Sequence, residues 1–341
     1  MSEAPLLQVQ HLTRTFAGGH RGQRLALRAN DEIDLTLGAS GPEIVSLVGE
    51  SGSGKSTLAR ILLGLDRPSV GRVLYHGVDV AKLRGRAWWQ YRREVQAVFQ
   101  DPYGIYNPFY RVDRVLDRPV RHFRLAASRR EADEKIDGAL RAVDLRPQDV
   151  LGRFPHQLSG GERQRIMLAR LYLIRPRLII ADEPVSMIDA ALRTMFLNIL
   201  LDFRDQGISC LFITHNLQTA YYLGGRCLVL YRGRMVESGS IDEVLQEPAH
   251  PYTRVLVSSI PSPDPTQRWS GELPEAAVES GSPPGPNECA FAQRCPHVME
   301  RCRSERPSHH RVSGDREAAC LLFEDVVPAA KATDLDRPKP T

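Results

Sequence analysis

Apolar and polar residues alternate along Gln8–Phe16 and Glu32–Leu37, the period of strands with one buried face. Ile44–Val48 is apolar almost throughout. It runs into a glycine-rich turn and then a helical pattern over Thr57–Leu65, which predicts strand, loop, helix. Arg72–Tyr75 and Glu94–Phe99 are predicted as further strands. Residues 111–150 carry a charged helical pattern, and a helix through Ala169–Leu173 is stopped by Arg175-Pro176. Leu178–Ala181 is an apolar run closed by two acids, as expected of a buried parallel strand whose carboxyl end opens on a site. Ala190–Gln206 follows as a helix, with Cys210–Thr214 and Cys227–Tyr231 as strands. Strands alternating with helices predict an α/β fold with a largely parallel sheet.

The pattern breaks after residue 246. Pro248, Pro251, Pro261, Pro263, Pro265, Pro274, Pro283, Pro284 and Pro286 point to an extended connector leading to a small appended module. The expected division is a main domain over 1–246, containing a helical subdomain at about 100–170, then an extension over 247–325 and a loose tail over 326–341. There is no internal repeat. At 42% apolar, the 341-residue chain can bury a core. No run approaches the roughly 20 apolar residues of a membrane-spanning helix. Met1–Gln10 lacks the basic start and apolar core of a secretory signal, so a soluble cytoplasmic protein is expected. The net charge of +4 is carried mostly by arginine. Runs such as Arg92-Arg93 and Arg129-Arg130 read as solvated surface rather than as a nucleic-acid or lipid footprint. Lysine is scarce, which makes Lys55, inside a glycine loop, informative.

That loop is Gly49-Glu50-Ser51-Gly52-Ser53-Gly54-Lys55-Ser56-Thr57, a G-x-x-x-x-G-K-[ST] pattern. Its glycines let successive backbone N–H groups turn inward around phosphate oxygens, and the following helix aims its N-terminus at the same anion. Lys55 supplies a point charge to the phosphates, and the Ser56 hydroxyl can ligate Mg2+. Asp182 and Glu183 close the Leu178–Ala181 run. The first can hold Mg2+ and the second can orient and deprotonate an attacking water. An isolated Asp-Glu pair is more often a cap or surface feature; the phosphate loop changes that weighting.

Leu158-Ser159-Gly160-Gly161-Glu162-Arg163-Gln164-Arg165 lies between these two motifs. Here the chain resembles the ABC ATPases, whose signature has this form. The resemblance implies a P-loop ABC-type ATPase fold with a helical subdomain. It also implies that Ser159, Gly160, Gly161, Glu162 and the interface aspartate Asp189 serve the ATP of a facing subunit. By the same resemblance Gln100 reaches Mg2+ with Ser56 and Asp182, His215 contacts the γ-phosphate beside the catalytic Glu183, and Phe16 stacks on adenine. Two segments depart from the family pattern. Ser186-Met187-Ile188-Asp189 replaces Ser-Ala-Leu-Asp, and Tyr103-Gly104-Ile105-Tyr106-Asn107-Pro108 keeps the Asn-Pro of oligopeptide-importer ATPases with two tyrosines added. Tyr103, Tyr106 and Phe109 are expected either to meet a permease helix or to fill the subdomain's own core.

His250-Pro251-Tyr252-Thr253 followed by Ile260-Pro261 resembles the C-terminal extension of oligopeptide and dipeptide importer ATPases. The implied partners are a second ABC ATPase subunit, two membrane permease subunits and an extracellular or periplasmic solute-binding protein, with no nucleic acid. The implied location is the cytoplasmic face of the membrane. An oligosaccharide or nickel importer is the alternative cargo class, and a soluble non-transport ABC ATPase the alternative of another kind. Two of six cysteines, Cys210 and Cys227, sit in apolar runs and read as core. Cys289, Cys295, Cys302 and Cys320 follow a C-x5-C-x6-C-x17-C spacing without the tight pairs of most zinc sites. The resemblance implies one [4Fe-4S] cluster in this small module. Zn2+, with His297, His309 or His310 as substitute ligands, stays open, as do free thiols or disulfides.

Overall fold

The computed structural model describes residues 4–18, 25–99, 106–186, 188–260 and 284–324. Strands β1 (Leu7–Gly18) and β2 (Leu25–Leu37) pair antiparallel. β3 (Ile44–Val48) leads through the glycine loop into α1 (Lys55–Leu62). β4 (Val70–Tyr75) and β5 (Val78–Asp79) complete a four-stranded sheet in the order β2-β1-β4-β5. After α2 (Gly85–Glu94) and β6 (Val95–Val98) come the helices α3 (Asp113–His122), α4 (Arg129–Arg141), α5 (Pro147–Val150) and α6 (Gly160–Ile174). The chain re-enters the main sheet through β7 (Leu178–Asp182), α7 (Ala190–Asp205), β8 (Ser209–Thr214), α8 (Leu217–Leu223), β9 (Arg226–Tyr231) and β10 (Arg234–Ser240). Helices α9 (Ile241–Gln246) and α10 (Pro251–Ser258) follow, and β11 (His310–Ser313) and β12 (Arg316–Ala318) close the described fold.

The main sheet runs β11-β12-β10-β9-β3-β8-β7-β6, parallel from β9 to β6 and antiparallel beyond. Its central strands are buried on both faces, which is why their sequences are continuous apolar runs rather than alternations. Val45, Leu47, Leu178, Ile180, Leu211 and Ile213 pack with Leu58, Ile61 and Leu62 of α1 and with the antiparallel sheet. Ile179, Ala181, Cys210 and Phe212 face Leu168 and Leu171 of α6 and Phe196, Leu200 and Phe203 of α7. Cys210 and Cys227 are core residues, as their apolar settings imply.

The observed strands differ from the expectations in instructive places. Glu94 ends α2 rather than opening a strand, and α2 itself carries too polar a composition to stand out. The sequence pattern does not mark β11 and β12, which are short and depend on pairing: β12 with β10, at Glu237↔Ala318 and Ser238↔Glu317, and β11 with β12. The extension therefore continues the sheet of the main domain. Tyr106 is buried, its hydroxyl donating to the Arg163 carbonyl at 2.7 Å, so it fills the helical subdomain's core. Phe109 is 84% exposed. Gln100 and Tyr103 lie outside the described residues.

Where the extension meets β10, a fully buried Glu237 accepts from Arg316 Nε and Nη2 at 3.1 and 2.9 Å. The same carboxylate accepts from the backbone N–H groups of Ala249 and His250 at 2.9 and 2.8 Å. His250 then caps α10, its Nδ1 accepting from the Tyr252 N–H at 3.0 Å, with Pro251 in the first helical position. Removing Glu237 leaves a buried guanidinium without its partner. Glu237→Ala is expected to cost about 3–5 kcal/mol in urea unfolding, and Glu237→Ala with Arg316→Met should cost less than Glu237→Ala alone.

Burial pushes the His250 imidazole down to about 3, and the nearby His309 pushes the same way. The unfolded chain therefore takes up this proton first as the solution is acidified. The stability His250 contributes as a neutral group is complete above about pH 6.5 and falls from there down to about pH 3, at up to about 1.4 kcal/mol per pH unit. Unfolding free energies measured between pH 7 and pH 4.5 should fall less steeply in His250→Asn, where the Asn side chain can still cap α10.

Candidate active site

The phosphate loop is shaped by backbone contacts that leave no room for side chains at two glycines. A Cβ on Gly54, whose φ is 104°, would sit 2.0 Å from the Ala29 carbonyl oxygen. A Cβ on Gly49 would sit 2.1 Å from the Leu230 carbonyl oxygen. Asn30 Nδ2 donates to the Gly54 carbonyl at 3.2 Å, and the Gly233 N–H donates to the Ser53 carbonyl at 2.9 Å. The loop is thus seated on β2 and on the β9–β10 turn, and it delivers the chain into the N-terminus of α1.

Lys55, the first residue of α1, is buried and reaches back over the loop. Its Nζ donates to the Gly49 and Glu50 carbonyls at 2.7 and 2.8 Å and lies 3.4 Å from Ser53 Oγ. Burial lowers its pKa, against the opposing pull of Glu183, Asp182 and Glu50. Next to it, Ser56 Oγ donates to Asp182 Oδ1 at 3.1 Å. Burial raises the Asp182 pKa, the Ser56 bond lowers it and Glu183 raises it further. This carboxylate at the end of β7 is better ionised with a cation beside it than alone.

Glu183 sits in the left-handed backbone region at φ 47°, an unfavourable conformation for a residue with a side chain. Its N–H donates to the Ile213 carbonyl at 2.9 Å, tying the end of β7 to β8. His215, just past β8, brings Nδ1 to 3.1 Å from Glu183 Oε1. Lys55, Ser56, Asp182, Glu183 and His215, distant in sequence, therefore converge at the carboxyl ends of three adjacent parallel strands.

The comparisons with known proteins agree with this geometry. The family described as "ABC transporter" matches residues 32–186, and the "Oligopeptide/dipeptide transporter, C-terminal region" family matches residues 236–302. The probable peptide ABC transporter ATP-binding protein y4tS of Sinorhizobium fredii is 41% identical over 337 residues, covering 97% of this chain and 93% of the relative. The putative peptide import ATP-binding protein BOV_A0347 of Brucella ovis is 37% identical over 322 residues, covering 94% and 99%. The chain belongs to the ABC transporter ATPases. The fold also matches the ATP-binding cassette MJ0796, solved as a dimer in a post-hydrolysis state with ADP and Pi. That match has a TM-score of 0.60 at 25% identity and covers 69% of this chain and 98% of that one.

The remaining residues of this ABC ATPase that were singled out in sequence lie elsewhere. Ser159 caps α6, accepting from the Glu162 N–H at 3.2 Å, while Glu162 accepts from the Ser159 N–H and Oγ at 2.8 Å each. Gly161 lets α6 and α7 approach, since a Cβ there would lie 2.4 Å from Leu192 Cδ1. Asp189 caps α7 through the Leu192 N–H at 2.9 Å. These groups bond within their own helix ends, not to the phosphate loop. Phe16 is 37% exposed on β1, with the Arg14 guanidinium 4.5 Å from its ring centre. Met187 is outside the described residues.

Cys289, Cys295, Cys302 and Cys320 are free thiols that come to one region, each close enough to influence the others electrostatically. Burial raises Cys289 and Cys295 and pushes Cys320 up to about 11. Among the described residues, no group of three or more His, Cys, Asp or Glu side chains is arranged to hold a metal ion. His310 bonds Ser308 through its Nε2 at 3.1 Å, while its buried Nδ1 has no hydrogen-bond partner among the described residues. Sequence reasoning missed Arg294 and Tyr252 as neighbours of the loop; nothing in their local pattern marks them.

Gly54→Ala is expected to abolish ATP binding in a fluorescence titration and to cost about 1–3 kcal/mol of stability, since both the backbone region and the space exclude a Cβ.

Proposed function

We propose that this ATPase powers import of a peptide through separate membrane permease subunits. The observation that carries the proposal is the joint match to the cassette and to the oligopeptide/dipeptide transporter C-terminal region in one chain. The relatives named for peptide import, which it parallels nearly end to end, support the same reading. Among the described residues no helix is long and apolar enough to cross a membrane, so the crossing falls to partners. The exposed Phe109 in the helical subdomain is the proposed point of contact with a permease.

In this reading two cassettes close head to tail on ATP. Lys55 leaves the loop carbonyls for phosphate oxygens, and the loop N–H groups take the rest of the charge. Glu183 orients and deprotonates the attacking water, and His215 turns from Glu183 to the γ-phosphate. Ser159, Gly160, Gly161, Glu162 and Asp189 of the facing subunit complete the site. Ser56 and Asp182, hard oxygen donors side by side, fit Mg2+, which when bound neutralises phosphate charge. ATP favours the closed pair because only that state makes all its contacts, and hydrolysis removes the preference.

The four extension cysteines are proposed to hold one [4Fe-4S] cluster. What supports the reading is the C-x5-C-x6-C-x17-C spacing and the meeting of the four cysteines in one region of the extension, where the Cys289 N–H donates to the Cys302 carbonyl at 2.9 Å, although the side chains as they stand form no metal-holding group. Anaerobically purified protein should carry about four irons per chain and absorb broadly near 400 nm. One zinc without colour would replace this reading.

Glu183→Gln is expected to keep ATP affinity within about twofold while lowering turnover at least about a hundredfold. It should elute as a closed dimer with ATP. Wild-type turnover would remove Glu183 from the chemistry. Isolated from native membranes, the same variant should carry permease subunits; recovery free of any membrane protein would favour a soluble ATPase.

A further inference from the structure

The extension reaches the phosphate loop directly. Arg294, one residue before Cys295, places Nη1 at 3.2 and 3.1 Å from the two carboxylate oxygens of Glu50, and Nη2 at 3.2 Å from Oε1. The guanidinium is half enclosed by Tyr231 and Phe291, whose ring centres lie 5.8 and 5.7 Å away, and Nη1 is 3.4 Å from the Tyr231 hydroxyl. The fully buried Tyr252 of α10 takes the Glu50 backbone N–H on its hydroxyl at 2.9 Å. The Glu50 carbonyl in turn accepts from Lys55 Nζ at 2.8 Å. One loop residue is thus gripped by the extension at its side chain and its N–H, and by the catalytic-site lysine at its carbonyl.

Glu50 by itself suits this place poorly. A carboxylate on the loop that cradles a polyphosphate repels the ligand unless a cation offsets it. The Arg294 guanidinium, on both carboxylate oxygens, neutralises it and fixes its direction. A second tie runs nearby, where Arg306 Nη1 lies 3.2 Å from Asp31 Oδ2 and its Nη2 donates to the Asp31 carbonyl at 3.1 Å. Asp31 adjoins Asn30, which holds Gly54.

We propose that Arg294 is a positioning residue for ATP, holding and neutralising Glu50 so that the phosphate loop accepts the nucleotide. The C-terminal extension thereby forms part of the nucleotide site of its own chain. The proposal rests on the assignment of Gly49–Thr57 as the phosphate loop.

The test is a double-mutant cycle on the full chain, read by Mg–ATP displacement of a fluorescent trinitrophenyl-ATP and by KM and kcat. Arg294→Ala should weaken ATP binding about tenfold, raising KM more than it lowers kcat. Adding Glu50→Gln, which removes the charge that Arg294 offsets, should bring affinity back to within about twofold of Glu50→Gln alone. A purely structural arginine would lower thermal stability and leave affinity unchanged, or the two losses would multiply; either result overturns the proposal. Should Arg294→Ala not fold, Arg294→Lys and Arg294→Gln serve instead, and equal losses in the two would overturn the charge argument. Lys55→Ala is the control: if it also binds as wild type, the loop assignment itself fails and takes the proposal with it.

Discussion

One buried carboxylate joins the C-terminal extension to the main sheet. Glu237 lies on β10 with no solvent contact and accepts four hydrogen bonds, two from Arg316 at β12 and two from the backbone leading into α10. An ionised group so placed is tolerable only because its acceptor capacity is filled by a cation and by amides that need acceptors themselves. The arrangement sets where α10 begins. α10 in turn carries Tyr252 to the phosphate loop, and its packing with Tyr231 and Phe291 builds the wall that receives Arg294. The nucleotide loop thus inherits part of its shape from residues some two hundred positions away.

The cassette was largely legible in the sequence because its chemistry is local and repetitive. Ile44–Val48, Leu178–Asp182 and Ser209–Thr214 are apolar enough on both faces to be read as central strands. The loop glycines, Asp182, Glu183 and His215 each sit at a fixed offset from one of those strands. The extension was not legible in the same way. β12 exists because β10 offers it an edge, and Arg294 and Arg316 differ in no local respect from the many arginines that stay in water. Tyr106 and Phe109 illustrate the limit well. Three residues apart in one polar stretch, one donates its hydroxyl to the Arg163 carbonyl inside the subdomain and the other points into solvent.

The polar groups of the site are bonded to one another. Lys55 is folded back on the loop carbonyls, the Ser56 hydroxyl rests on Asp182, and Glu183 is paired with His215. In the proposed reading, ATP exchanges each of these bonds for another. The left-handed backbone at Glu183 is held by its N–H bond to β8, so the strand scaffold carries the strain while the side chain changes partner. The signature serine is similarly occupied by Glu162 of its own helix.

The pairing of β12 on β10 also decides how the sheet meets its surroundings. An open strand edge presents a row of unmatched N–H and C=O groups that will take any passing strand, including one from another copy of the same chain. Here β12 and β11 occupy that edge, and they are short, broken by a register shift and carry Arg311, Ser313 and Glu317. The extension is in this sense a cover strip for the cassette. A version of the protein trimmed back to its ATPase motifs would lose the grip of Arg294 and Tyr252 on the loop and would also be a self-adhesive particle, with Glu237 bare at the sticky margin.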